Sequence, residues 1–249
     1  MTNIKIVRRI SFALIISCFM VGLMTSVAKA SDENNSSAPS IKQPTIPNQE
    51  FNIKDYGANG DGETKNTKAF DNAIEEAHKA GGGKVIVPEG EYLTGAIHLE
   101  SNIDLHLEEN AVIKFSQDPN DYLPTVKTRF EGTELYNYSP MIYAYDKSNI
   151  AITGKGTIDG QADNEHWWPW KGKEEFGWKE GEPRQKEDAE KLMEMGQDDV
   201  PVEERDFGDG HYLRPNLIQF YQSENILIEG VTINDSPMWH VHPVLSENV

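Results

Sequence analysis

The stretch Ser223–Val249, "SENILIEGVTINDSPMWHVHPVLSENV", decides the fold because it returns to its own opening tripeptide. Ser-Glu-Asn stands at position 223 and again at 246, a spacing of 23 residues. The residues between the copies form short alternating runs of Ile, Leu and Val, bounded by Gly, Asn or Pro. A segment of this length makes two or three short strands and does not bury its apolar face by itself. It therefore predicts one coil of a β-solenoid.

The same pattern recurs upstream, in "SNIDLHLEENAVIKF" from Ser101 and "SNIAITGKGTIDG" from Ser148. The recurring asparagines stand at 102, 149, 225 and 248, with gaps of 47, 76 and 23 residues. We interpret the first gap as about two 23-residue coils and the second as two coils plus an insertion. Stacked coils pair their strands in parallel, and the Asn amide bonds a corner backbone group or the Asn of the next coil. The alternative is an ordinary β-sandwich in which common turn residues recur by chance.

One amphipathic helix precedes the strands. Phe70, Ala73, Ile74 and Ala77 follow helical spacing, which predicts a helix from about Thr67 to Ala80. Thr64, Asn66 and Thr67 offer N-caps, and Gly81 offers the C-terminal stop. We expect this short helix to cap the N-terminal end of the stack.

An acidic excursion at about 161–213 interrupts the strand pattern. It is only weakly helical, near Ala189–Met195, and long excursions in compact proteins are either functional or disordered. Its place between two strand-forming segments favours a loop over the groove.

The first 30 residues predict a secretory signal peptide, cleaved after Ala30. Lys5, Arg8 and Arg9 precede an apolar run from Ile10 to about Met24, which is followed by Ala28-Lys29-Ala30. We therefore expect a secreted or periplasmic protein. The alternatives are a transmembrane anchor, for which the run is short, and a lipoprotein lipidated at Cys18, the single cysteine.

Residues 31–49, rich in Ser, Asn and Pro, predict a polar tether, and 51–249 one β-helix domain. The formal net charge is −18, and removing the first 30 residues, which carry four basic and no acidic side chains, makes it −22. This charge argues against nucleic acid as a partner. It also weakens long-range steering of a polyanion, although local basic side chains still act within a screening length of roughly 8 Å.

Three segments carry a resemblance to a known family: "NIAITGKGTIDGQADNEHWW" from Asn149, "RPNLIQFYQSENILIEGVTI" from Arg214 and "NDSPMWHVHPV" from Asn234. Together they resemble glycoside hydrolase family 28, the polygalacturonases, over residues 51–249 apart from the excursion. The resemblance implies an all-β, right-handed parallel β-helix of the pectin-lyase-like type. It also implies inverting hydrolysis of α-1,4 galacturonosyl bonds in pectin with neither metal nor cofactor. The partner is then a pectin-type polysaccharide or oligogalacturonide, with no membrane contact after signal cleavage and a monomeric full-length protein.

The family's catalytic residues are three Asp in Asn-Thr-Asp and Asp-Asp motifs that follow the SPxWxxHP segment. The 249 residues stop before such motifs, so we expect no catalytic residue here, a domain incomplete at its C-terminus and an inactive chain. Three imitations do not qualify: Asp198-Asp199 lies in the charged excursion, Asn59–Gly62 in the N-terminal turn, and Gly208–His211 has its glycines and histidine in the wrong order. Asp159 is interpreted as a corner residue that bonds backbone amides.

Six residues are candidates for substrate binding. Trp167 and Trp168, with Trp170 nearby, either stack on a sugar ring or pin the excursion. Arg214 either pairs with a uronate carboxylate or bridges to the excursion. Trp239, His240 and His242 stand on the last complete repeat, where His242 is equally suited to packing.

Two other functions remain open. A non-catalytic carbohydrate-binding or adhesive β-helix would keep the coils and aromatic residues without the acids. A polysaccharide lyase would need a calcium-binding acid cluster and a basic proton acceptor near one groove, and the sequence shows no such spacing.

Overall fold

The computed structural model describes residues 41–249. The predicted signal peptide, Cys18 and most of the tether lie outside the described residues. Most strands within the described part form three parallel sheets, and three further strands form a small fourth sheet outside them. The first sheet contains β1 (Glu50–Asn52), β3 (Gly83–Val87), β6 (Ile103–Leu107), β11 (Ser148–Gly154) and β15 (Glu224–Glu229). The second contains β2 (Asp61–Lys65), β4 (Gly90–Thr94), β7 (Ala111–Phe115), β12 (Thr157–Asp159) and β16 (Thr232–Asn234). The third contains β5 (Ile97–His98), β10 (Ile142–Tyr145), β14 (Ile218–Tyr221) and β17 (Val241–Val244).

The first coil contributes β1 and β2 only, and each of the four coils after the helix contributes one strand to each sheet, with matching positions in register. In the first sheet Leu105 pairs with Val85 on one side and Ile152 on the other. All three side chains are fully buried, and burying one such side chain contributes about 1.5–3 kcal/mol. The predicted right-handed parallel β-helix is confirmed.

The number of coils differs from the prediction. Ile103 pairs directly with Ile150, so Asn102 and Asn149 lie in neighbouring coils and the reading of their gap as two coils is wrong. That coil is enlarged by residues 116–141, which contain an antiparallel hairpin of β8 (Val126–Phe130) and β9 (Thr133–Asn137). The next coil is likewise a single coil, enlarged by residues 160–217. Both insertions leave the turn between the second and third sheets, where strand pairing does not restrict loop length.

The recurring asparagines form the predicted ladder in part: two neighbouring pairs are hydrogen-bonded, and the described residues show no bond between Asn149 and Asn225. All four adopt left-handed backbone conformations, with φ between 53° and 63°. Nδ2 of Asn149 donates to Oδ1 of Asn102 at 3.0 Å, and Nδ2 of Asn248 donates to Oδ1 of Asn225 at 3.2 Å. Asn is suited to this corner because it tolerates the left-handed conformation and bonds its counterpart in the next coil.

The N-terminal helix α1 (Thr67–Lys79) is present as predicted and buries Phe70, Ala73, Ile74 and Ala77. Asn66 precedes it, but its side chain caps no helix N–H. Its amide instead donates to the carbonyl oxygens of Asn59 and Thr64 at 3.0 and 2.6 Å. The predicted cap therefore fixes the preceding turn.

The acidic excursion packs on the hairpin. Its helix α2 (Gln185–Gln197) is longer than the predicted helical stretch, and β13 (Asp206–Phe207) pairs with β9. Leu192, from α2, is buried among Phe130, Leu135, Phe207 and Leu213. Hairpin and excursion therefore form a second layer outside the coils. Across residues 41–249, no helix has the length and apolar character needed to cross a membrane.

Candidate functional site

A row of polar side chains runs along the outer face of the third sheet. His98, Tyr143, Gln219 and His242 occupy the same register position in four successive coils. The hairpin covers the row: Oγ1 of Thr128 donates to Oε1 of Gln219 at 2.7 Å, and Oη of Tyr143 donates to the Lys127 carbonyl at 2.5 Å. Gln219 is fully buried, whereas His242 is half-buried. The row thus becomes accessible at His242.

Asn216 fixes the imidazole of His242. Its Nδ2 lies 2.9 Å from Nδ1 of His242 and 3.1 Å from Oε1 of Gln219, and its Oδ1 accepts from the Trp239 N–H at 3.4 Å. With Nδ2 donating, His242 Nδ1 is an acceptor and the proton of the neutral ring is on Nε2. Burial, and then the positive charge of Arg129, lower the pKa of His242. The site therefore holds His242 as a neutral Nε2–H donor.

Trp239 and His240 are the accessible members of this corner. Trp239 is 45% exposed, and its ring centroid lies 4.3 Å from that of His242 in an edge-on contact. His240 is also exposed. Of the predicted binding residues, Trp239 and His242 are in contact, and His240 is exposed next to Trp239 in the chain. His242 is held by packing and is still partly accessible.

The tryptophans of the excursion mainly pack. Trp167 is 3% exposed, with edge-on contacts to Tyr122 at 5.4 Å and Trp170 at 5.1 Å between ring centroids. Trp168 is half-buried, and its Nε1 donates to the Ser236 carbonyl at 3.0 Å. Trp167 therefore fits the alternative in which the tryptophans hold the excursion in place. Trp168 also packs, but part of its side chain is accessible.

Arg214 is 8% exposed and connects the excursion to the last coil. Its Nε donates to Oε1 of Gln185, in α2, at 2.8 Å, and its Nη1 donates to the Pro237 carbonyl. Burial lowers the pKa of Arg214 to about 10. Arg214 therefore forms the expected bridge to the excursion, and its partner there is a neutral amide. Arg214 has no ion pair with any carboxylate in residues 41–249.

The structure shows where the acidic segments that do not qualify as catalytic motifs lie. Asp198 and Asp199 are exposed just after the end of α2, and His211 Nδ1 lies 2.7 Å from Oδ1 of Asp188. Oδ1 of Asp159 accepts from the Gln161 N–H at 2.8 Å, which confirms its corner role, and burial raises its pKa. In the part of the chain that the structure describes, no three His, Cys, Asp or Glu residues are grouped to hold a metal ion.

Sequence reasoning missed Asn216 and Gln219. A single Gln within the apolar run "LIQFY" was the available signal, since a buried amide in a strand needs hydrogen-bond partners. Its partners come from the hairpin and from Asn216, and no local pattern indicates them.

Comparison with known proteins adds the family. Residues 50–119 match the family model for rhamnogalacturonase A/epimerase, pectate lyase-like. A probable polygalacturonase from Vitis vinifera is 33% identical over 206 residues, covering 79% of this chain and 34% of the relative. The crystal structure of a hyperthermoactive exopolygalacturonase from Thermotoga maritima is 62% identical, with a TM-score of 0.82, covering 84% of this chain and 47% of that one. A family 28 exopolygalacturonase from Yersinia enterocolitica is 25% identical, with a TM-score of 0.56, covering 82% of this chain and 38% of that one.

The chain belongs to glycoside hydrolase family 28. It spans about a third of the length of the grapevine relative and about half of the Thermotoga enzyme. Within this family 28 chain, "DSPMWHVHPV" forms the last turn and strand of the third sheet. The segment that carried the resemblance is therefore also the one that presents Trp239 and His242.

Proposed function

We propose that this family 28 chain is part of an exo-acting hydrolase that cleaves α-1,4 galacturonosyl bonds of pectin with inversion. The observation that carries the proposal is the 62% identity to the Thermotoga exopolygalacturonase over 84% of this chain. The accessible end of the third sheet supports it, because Trp239 offers an exposed aromatic ring and His242 a neutral hydrogen-bond donor beside it.

Inversion requires one carboxylic acid to protonate the leaving oxygen and a carboxylate to activate water on the opposite face of the sugar, about 6.5–9.5 Å away. The proposal places these groups in the Asn-Thr-Asp and Asp-Asp motifs that follow the SPxWxxHP segment in the family. The relatives extend well beyond the matched length. In this division, residues 41–249 supply binding and orientation: Trp239 packs against a sugar ring, and His242 donates to an oxygen of the substrate without adding charge.

A hybrid polypeptide tests the proposal. The coils of the Thermotoga enzyme that follow its matched segment are joined after Val249, and the product is assayed on oligogalacturonides. We expect release of monogalacturonate from one chain end, with inverted anomeric configuration in an early NMR spectrum. His242→Gln in the hybrid should raise KM, and the Thermotoga coils alone should be inactive.

The outcomes separate the alternatives. An unsaturated uronide, detected by its ultraviolet absorbance, would identify a lyase. A folded hybrid that binds oligogalacturonide without cleaving it would favour a carbohydrate-binding β-helix. Internal cleavage, seen as a rapid fall in viscosity, would contradict the exo assignment.

We also propose that the protein is exported, on the charge and apolar pattern of residues 1–30. N-terminal sequencing of protein from the medium or periplasm of an expressing bacterium should begin at Ser31. A lipidated Cys18 would contradict this proposal.

A further inference from the structure

Among the Lys and Arg side chains of residues 41–249, only that of Arg214 is buried. It donates to two neutral oxygens, on Gln185 and Pro237, and its Nη2 has no hydrogen-bond partner among the described residues. A buried cation is costly unless it is paired with an anion. The excursion that covers it contains sixteen acidic and seven basic residues, and yet none of its carboxylates pairs with Arg214.

Lys171 is a second cation beside the same segment. Its Nζ lies 5.0 Å from the ring centroid of Trp168 and 3.4 Å from that of Phe176, and it too has no ion pair within the described chain. Trp168 bonds the carbonyl of Ser236, and Arg214 bonds the carbonyl of the next residue, Pro237. Arg214 therefore bonds the segment Ser236-Pro237 directly, whereas Lys171 is linked to it through the ring of Trp168. Burial, and then the charge of Arg214, lower the pKa of Lys171.

Ser236 provides an independent observation. It is 5% exposed, and its Oγ has no hydrogen-bond partner in residues 41–249. Buried hydroxyls are nearly always bonded. The segment whose carbonyl oxygens accept from Trp168 and Arg214 thus also contains a buried hydroxyl without a partner among the described residues.

We propose that Arg214 and Lys171 form a subsite for the carboxylate of one uronate residue of the polysaccharide, with Trp168 beside the sugar ring. This inference rests on the proposed function and specifies it. Arg214 has a free Nη2 for one carboxylate oxygen, and Lys171 supplies a mobile point charge for the other. Trp168 is held in position by its bond to Ser236. The subsite selects free uronate over methyl-esterified uronate, which has no negative charge.

Binding by the full chain tests the subsite without any need for catalysis. Trigalacturonate and its methyl ester are titrated into wild type, Lys171→Gln and Lys173→Gln, with binding followed by calorimetry. Lys173 is the matched control, because it is exposed, two residues away, and paired only weakly with Glu175 at 3.8 Å. We expect Lys171→Gln to weaken trigalacturonate binding about tenfold or more, the weight of one charge-assisted hydrogen bond, and Lys173→Gln to change it less than twofold.

Two further measurements separate binding from packing. Lys171→Arg should restore most of the affinity, and Arg214→Lys should weaken binding in a protein whose far-UV circular dichroism is unchanged. The inference is overturned if wild type does not bind trigalacturonate, if the methyl ester binds as tightly, or if the Lys171 and Lys173 variants behave alike. Hydrolysis by the hybrid does not enter this test. Trigalacturonate binding that is lost in Lys171→Gln, alongside a folded hybrid that does not cleave galacturonan, would retain the subsite and reject the proposed function.

Discussion

Replacement of Asn149 by alanine should lower the free energy of unfolding by about 2 kcal/mol. Asn149 has φ of 55°, a left-handed conformation that costs a residue such as alanine about 1 kcal/mol. Its Nδ2 also donates to Oδ1 of Asn102 at 3.0 Å, and loss of such a bond between coils costs about 1 kcal/mol. The two contributions are separate, since one belongs to the backbone and the other to the side chain.

The matched variant is Asn149→Gly, which loses the hydrogen bond but accepts the left-handed backbone without strain. We expect it to cost about 1 kcal/mol, half of the alanine value. Urea unfolding followed by far-UV circular dichroism measures both losses. The slope of the unfolding free energy against urea concentration stays at the wild-type value if the folded and unfolded states keep their compactness.

Two results would refute this reasoning. Equal losses for alanine and glycine would mean that the left-handed corner adds no strain to the alanine variant. Losses below about 0.5 kcal/mol for both variants, the range of ordinary surface substitutions, would mean that the asparagine ladder does not stabilise the coils.

Two further predictions concern activity and pH. The 249-residue chain by itself should release no reducing sugar from polygalacturonate, because neither the acid nor the water-activating carboxylate is assigned within it. Release that disappears in Asp198→Asn plus Asp199→Asn would contradict this prediction and identify that exposed pair as catalytic. Burial lowers the pKa of His98 and of His242, so the unfolded chain binds protons at higher pH than the folded one. Their contribution to stability is complete above the unfolded pKa of about 6.5 and is lost as the pH falls below it and through the lowered pKa of the folded state. Urea unfolding at pH 8 and pH 5.5 should show this loss, and His98→Gln plus His242→Gln should reduce it; an equal loss in the double variant would contradict the assignment.

Much of the fold was predictable because it is a local repeat. Asn149 and Asn225 each enter a strand of Ile and Leu, and that pattern predicts a corner followed by a strand without knowledge of its neighbours. Asp159 in "TIDG" was likewise predicted as a corner residue, because its bond to the Gln161 N–H spans only two residues. The helix over Phe70 to Ala77 followed from spacing alone.

The number of coils was not predictable, because a gap of 47 residues fits two short coils as well as one coil with a hairpin. Pairing of Ile103 with Ile150 decided between them. The sequence also named Arg214 as a binding candidate but left its surroundings open.

The sequence by itself therefore determined the repeating coil, since its corners and strands depend on residues close together along the chain. Only the tertiary structure decided which side chains meet over the third sheet. Trp168 and Ser236 are 68 residues apart, and they meet only because the excursion folds back onto the last coil. The path of such a loop is set by burial of side chains such as Leu192 against the hairpin, a long-range packing energy that no local pattern encodes.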